Sequence, residues 1–79
     1  MRATVVVRPK HGILDPQGQA VASSLRALGF AVDEARVGRV VDLELEAADP
    51  EAARAQLERM CEQLLANPLI ESFEVEIHG

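Results

Sequence analysis

The dipeptide Asp-Pro occurs twice, at Asp15-Pro16 and Asp49-Pro50, and each time it heads a segment with helical spacing. An aspartate just before a helix can accept from the free first-turn amides, and proline fits the first helical position, where its missing N–H costs nothing. After Pro16, Val21, Leu25 and Leu28 recur at i, i+4 and i+7, and Gly29 follows where a left-handed C-terminal cap is expected. Gly18, in the first turn, is a weak spot of up to about 1 kcal/mol against alanine. After Pro50, the apolar positions Ala53, Leu57, Met60, Cys61 and Leu64 give the strongest periodic signal in the chain. Asn67-Pro68 ends that helix, because the residue before proline avoids the helical region.

Around these helices the period changes from 3.6 to two. Ala3–Arg8 is rich in β-branched residues and reads as a strand restricted at its end by Pro9. Val41, Leu43 and Leu45 alternate with Asp42, Glu44 and Glu46, and Phe73, Val75 and Ile77 alternate with Glu74 and Glu76. The stretch Phe30–Glu46 is extended throughout, interrupted by Gly38. A turn at Gly38 makes two strands of it; a bulge makes one long bent strand. With two strands, the reading favoured here, the order is βαββαβ. The expected fold is then α+β and ferredoxin-like: a two-layer sandwich of an antiparallel sheet with two helices on one face, in a single domain over residues 1–79.

A chain of 79 residues buries only about 60% of the surface its unfolded form exposes. Domains this small often need a disulfide, a metal or a partner. One cysteine excludes an internal disulfide, and no Cys/His cluster suggests zinc, so association is the remaining support. The net charge of −5 and pI near 4.9 argue against nucleic acid and against an anionic membrane surface. No apolar run has the length of a membrane span or follows Arg2 as a signal peptide would, and a lone thiol fits the cytoplasm.

Few residues suggest chemistry. His11 and His78 are far apart in sequence, and Cys61 sits on an apolar helical stripe, where a buried core thiol is expected. Ser23 and Ser24 lack the turn of a nucleophile elbow. Asp42, Glu44 and Glu46 form a carboxylate row, which more often marks a solvated face than a metal site. No phosphate-binding glycine loop appears, and the strands lack the stacking aromatics of an RNA-binding module. No catalytic, cofactor-binding or metal-binding residue is therefore assigned. Arg36 and Arg39, flanking Gly38, can hold an anion or a partner carboxylate, or simply be solvated. If the helices cover one sheet face, Val6, Val40 and Ile70 fall on the other, as a solvated surface or as a contact between copies of the chain.

Three stretches resemble the PurS family, a subunit of phosphoribosylformylglycinamidine synthase. Ile13-Leu14-Asp15-Pro16-Gln17-Gly18 is similar to that family's Leu-Asp-Pro-Gln-Gly signature. Val37-Gly38-Arg39 resembles its Gly-Lys/Arg corner, and Met60–Glu71 its Leu-Leu-Ala-Asn-Pro-x-Ile-Glu segment. The resemblance implies a role in purine biosynthesis, within a ligase complex that uses ATP and glutamine to turn formylglycinamide ribonucleotide into formylglycinamidine ribonucleotide. It implies a subunit without catalytic residues or cofactor that bridges the PurL synthetase and PurQ glutaminase, assists ammonia transfer, and forms a homodimer or homotetramer. Gln17, Gly18, Arg36, Gly38 and Arg39 are the candidate partner interface, with close approach of a partner backbone as the reason for Gly18. The alternative is an ACT-like regulatory domain that binds a small ligand at a dimer interface, near His11-Gly12.

Overall fold

A computed structural model describes residues 1–78. In chain order the elements are β1 (Arg2–Pro9), α1 (Pro16–Ala27), β2 (Arg39–Glu44), α2 (Pro50–Met60), a π-helical turn (Cys61–Leu65) and β3 (Glu71–His78). The three strands form one antiparallel sheet in the order β2-β1-β3. The architecture is of the ferredoxin-like α+β class, with three strands among the described residues.

β1 is the central strand, and its alternation decides the core. Val5 pairs with Val41 on one side and Val75 on the other; Ala3 pairs with Leu43 and Ile77. Ala3, Val5 and Val7 are buried, together with Leu57, Cys61 and Ala66 from the helical layer. The flanking Val41, Leu43, Leu45, Phe73, Val75 and Ile77 are half-buried around that centre.

The second Asp-Pro works as the sequence suggests. Asp49 Oδ1 accepts from the Ala52 amide at 2.8 Å, Pro50 opens α2, and Glu51 lies at the positive end of the helix. Its apolar stripe differs in the last turn. The Ala66 amide donates to the Cys61 carbonyl, five residues back, at 3.0 Å, and the extra residue in the turn shifts the register. Leu64, expected on the inward stripe, is 83% exposed, and Leu65 and Ala66 turn towards the core in its place.

The first Asp-Pro helix behaves differently. Its C-terminus is closed as predicted: Gly29 has φ +97°, Phe30 N–H donates to the Leu25 carbonyl and Gly29 N–H to the Arg26 carbonyl, the paired bonds of a Schellman cap. Its N-terminal aspartate makes no capping hydrogen bond of its own helix; Asp15 Oδ2 accepts instead from the Val37 amide at 2.8 Å, with the first-turn amides only nearby. No residue of α1 belongs to the hydrophobic core. Val21 and Leu28 of its predicted stripe are exposed, and Gly18 and Ala22 are buried in their stead.

The reading of two strands between Phe30 and Glu46 is corrected. Residues 30–38 form no strand, with the Val32 amide turning back to the Phe30 carbonyl at 3.1 Å and a bend at Asp33, and β2 is the only strand of that stretch. Gly38 makes no left-handed turn. Its glycine is required because a Cβ there would collide with the Val7 carbonyl, where the chain enters β2 against β1.

Candidate functional site

The residues singled out in the sequence converge at one end of the sheet, where β1 ends and β2 and β3 begin. Asp15 is the hub. Its carboxylate is held below its ordinary pKa, chiefly by the Val37 amide, with the Gly18 and Gln17 amides and the Arg36 guanidinium adding to the effect. Gly18 is buried because a Cβ there would strike the carbonyl of Ala35, and Asp15 Oδ2 lies 2.6 Å from the same point. The close approach that glycine allows is therefore made by the chain's own 35–37 segment. Arg36 Nη1 donates to the Pro9 carbonyl at 3.0 Å, which ties that segment to the end of β1.

Arg39 organises the other side. It makes a two-pronged ion pair with Glu71, Nη1 to Oε2 at 2.8 Å and Nη2 to Oε1 at 2.9 Å, and Nη2 also donates to the Leu65 carbonyl. Glu71 Oε1 accepts in turn from the Asn67 amide at 2.8 Å, and Asn67 Oδ1 accepts from the Leu69 amide at 3.1 Å. The Arg39 hydrogen bond, followed by the Asn67 amide, lowers the Glu71 pKa. One network thus closes the π-helical turn, orders the Asn67-Pro68 corner and starts β3. Sequence reasoning missed Glu71 as a partner of Arg39, since 32 residues separate them.

Between the two hubs runs a groove of about 260 Å³ lined by Leu14, Gln17, Val37, Arg39, Ile70 and Glu71 among others. That is below the roughly 300–1,000 Å³ of pockets that enclose small ligands. It brings Gln17, Gly38, Arg39 and Ile70 together. Val6 and Val40 face each other across β1 and β2, on the sheet face away from α2, and line a second groove, of about 490 Å³, together with Arg36, Gly38 and Arg39. Ile70 lies in the turn before β3, where its carbonyl accepts from the Lys10 amide, so the expected trio is split.

Nothing in the described residues forms a catalytic constellation. Cys61 is buried, and burial, followed by the charges of Glu58 and Glu62, pushes its thiol pKa up, away from nucleophile behaviour. Asp42, Thr4 and His78 do meet on the open face, but in the wrong order for nucleophile activation. Thr4 Oγ1 gives its proton to Asp42 Oδ1 at 2.8 Å, so the His78 Nε2 at 2.9 Å must donate to Thr4 and cannot act as its base. Among the described residues, no group of three His, Cys, Asp or Glu side chains could hold a metal ion.

Comparison with known proteins agrees with this geometry. The family model described as PurS, phosphoribosylformylglycinamidine (FGAM) synthase, matches residues 2–79. A phosphoribosylformylglycinamidine synthase subunit PurS from Synechocystis is 47% identical over 77 residues, 96% of this chain and 75% of that protein. The protein of the same name from Methanocaldococcus jannaschii is 35% identical, over 96% of this chain and 93% of its own length. Among solved structures, Bacillus subtilis PurS superposes with a TM-score of 0.88 at 34% identity, covering 99% of this chain and 98% of that one. A chain of PurLQS from Thermotoga maritima superposes with a TM-score of 0.84 at 33% identity, covering 95% and 93%. These matches favour no ligand-sensing domain of ACT type. With likeness spanning almost every residue and the signature stretches accounted for by the fold, the chain belongs to the PurS family of phosphoribosylformylglycinamidine synthase.

Proposed function

We propose that this chain is the small, non-catalytic subunit of a phosphoribosylformylglycinamidine synthase, acting in purine biosynthesis beside a PurL synthetase and a PurQ glutaminase. One observation carries the reading: a chain that matches PurS from end to end places its signature residues in backbone clasps and none in a nucleophile, base or metal set. The assembled enzyme converts formylglycinamide ribonucleotide, ATP and glutamine into the amidine. Ammonia released at one active site must reach the other without escaping to water, which calls for sealed protein surfaces and not for new reactive groups. The Thermotoga maritima relative comes from a structure named PurLQS, which supports the same company for this chain.

Gln17 and Arg39, exposed along the groove, and Arg36, exposed on the neighbouring one, are the proposed contacts with the larger subunits, with Gly18 and Gly38 shaping the backbone beneath them. The chain associates with itself as a homodimer or homotetramer, and Val6, Val40 and Ile70 are candidates for that contact. It works in the cytoplasm; no helix of the described residues is long and apolar enough to cross a membrane.

The test is reconstitution with the synthetase and glutaminase, followed by amidation assays with glutamine or free ammonia as the nitrogen source. Omitting the chain is expected to abolish the glutamine-driven reaction and spare the ammonia-driven one. Normal glutamine-driven amidation without it would overturn the reading.

A further inference from the structure

The cations of this acidic chain are unevenly placed. Of its 8 lysines and arginines, Arg8, Lys10, Arg36 and Arg39 lie where β1 ends and β2 begins. Arg8, Arg36 and Arg39 line the second groove, of about 490 Å³, beside the Val6–Val40 pair. Val40 is 61% exposed there. The groove thus offers apolar surface and positive charge together, on a chain whose net charge is −5.

The three guanidiniums are engaged to different degrees. Arg39 is committed to the chain itself, held on both prongs by Glu71, whose side chain is 15% exposed. Arg8 meets Glu74 in a single contact at 3.2 Å, with side chains 53% and 76% exposed. Such a surface pair has little net worth, and another carboxylate readily replaces it. Arg36 is exposed and forms no ion pair among the described residues. Its Nη1 donates to the Pro9 carbonyl, which fixes the guanidinium at the groove and leaves its remaining N–H groups for an outside acceptor.

The shape and lining choose between occupants. Neither helix contributes to the groove, so no helix N-terminus is aimed at a phosphate, and Val6, Val7, Pro9 and Val40 make half of its lining aliphatic. A small anion would use the charge and waste the apolar half. A protein segment with an apolar side chain between carboxylates satisfies both.

We propose that this groove receives an acidic segment of a larger subunit, with an apolar side chain on Val6 and Val40 and Asp or Glu carboxylates on Arg36 and Arg8. The proposal rests on the reading of the chain as a subunit of the synthase. It takes Val6 and Val40 from self-association to that contact. Complementary charge of this kind speeds encounter and makes the association sensitive to salt.

Calorimetric titration of the chain into the synthetase, the glutaminase and their mixture tests it. Arg36→Glu is expected to weaken binding about 30-fold or more, as the loss of a desolvated charge pair does. Val40→Asp should weaken it too, without touching the bond from Arg36 to Pro9. Arg54→Glu makes the same charge change at an exposed position of α2 and should alter the affinity by no more than about 3-fold. Circular dichroism checks that each variant is folded. The wild-type affinity should fall more steeply with salt than that of Arg36→Glu. A photo-crosslinker attached at Val40→Cys should join the chain to an Asp- or Glu-rich peptide of a larger subunit. Attachment to a second copy of the chain or to a peptide without acidic residues overturns the proposal. So does unchanged binding of both Arg36→Glu and Val40→Asp, or inhibition by inorganic phosphate well beyond that of chloride at equal ionic strength, which would assign the groove to a small anion. In each of these cases the subunit reading survives. A wild-type chain that binds neither subunit nor their mixture overturns that reading as well.

Discussion

The two Asp-Pro helices begin with the same two residues and end in opposite relations to the molecule. In α2, Asp49 caps its own helix, and the stripe beneath it, Ala53, Leu57 and Cys61, is fully buried. In α1, Asp15 reaches across to the Val37 amide, and the buried residues are Gly18 and Ala22, too small to anchor a core. The first helix is thus fastened by backbone clasps and the second by apolar area. Burial of large side chains carries most of the favourable energy of folding, so α2 and the sheet make the stable body and α1 the adaptable arm.

The comparison breaks most visibly at Leu57. Leu57→Ala, at a fully buried position, is expected to cost about 3 kcal/mol or more and to leave little folded chain at room temperature, as read by urea titration. If its cost were small, the body would not be the stable half.

Gly18→Ala should act on the other half. The added methyl meets the Ala35 carbonyl, and relieving that overlap is expected to cost about 1–3 kcal/mol. The loss should appear as faster amide exchange over residues 16–37, with α2 and β1 unaffected. Uniform loss of protection would merge the two regions into one cooperative unit.

Asp49→Ala is expected to cost about 1 kcal/mol by removing the cap on Ala52. Hydrogen exchange should show the loss at the start of α2 and leave the arm intact, so the two aspartates can be told apart by location.

The smallest effect is a pH dependence of the arm. The Asp15 pKa is lower in the folded state than in the unfolded one. Its stabilisation is therefore complete above the unfolded carboxylate pKa and is lost as the pH falls through the folded value. Amide exchange at Val37 should quicken on acidification before that of α2, and Asp15→Asn should remove the difference. An arm equally protected on both sides of that transition would mean that the Asp15 clasp contributes nothing.

Most of the fold was legible because its signals are local. Pro16 and Pro50 open helices, Gly29 closes one and Asn67-Pro68 ends another, each through geometry within a few residues of itself. Strand alternation at 41–45 and 73–77 followed from one buried face. Leu64 was misplaced because a π-helical turn arises from how the last turn meets the sheet, which no helical period records. The Arg39–Glu71 pair was missed for a similar reason: strand register alone makes neighbours of residues 32 apart.

By itself, the amino-acid order determined where the two helices start and stop, which segments alternate as strands, and which face of the sheet is apolar. Only the tertiary structure decided that Gly18 serves the chain's own Ala35, that residues 30–37 stay out of the sheet, and that α1 leaves the body. The physical reason lies at Gly38. Both a hairpin and a straight entry into β2 satisfy the local backbone, and the choice is made by what the chain meets there: the Val7 carbonyl on one side and the Arg36 and Asp15 clasps on the other.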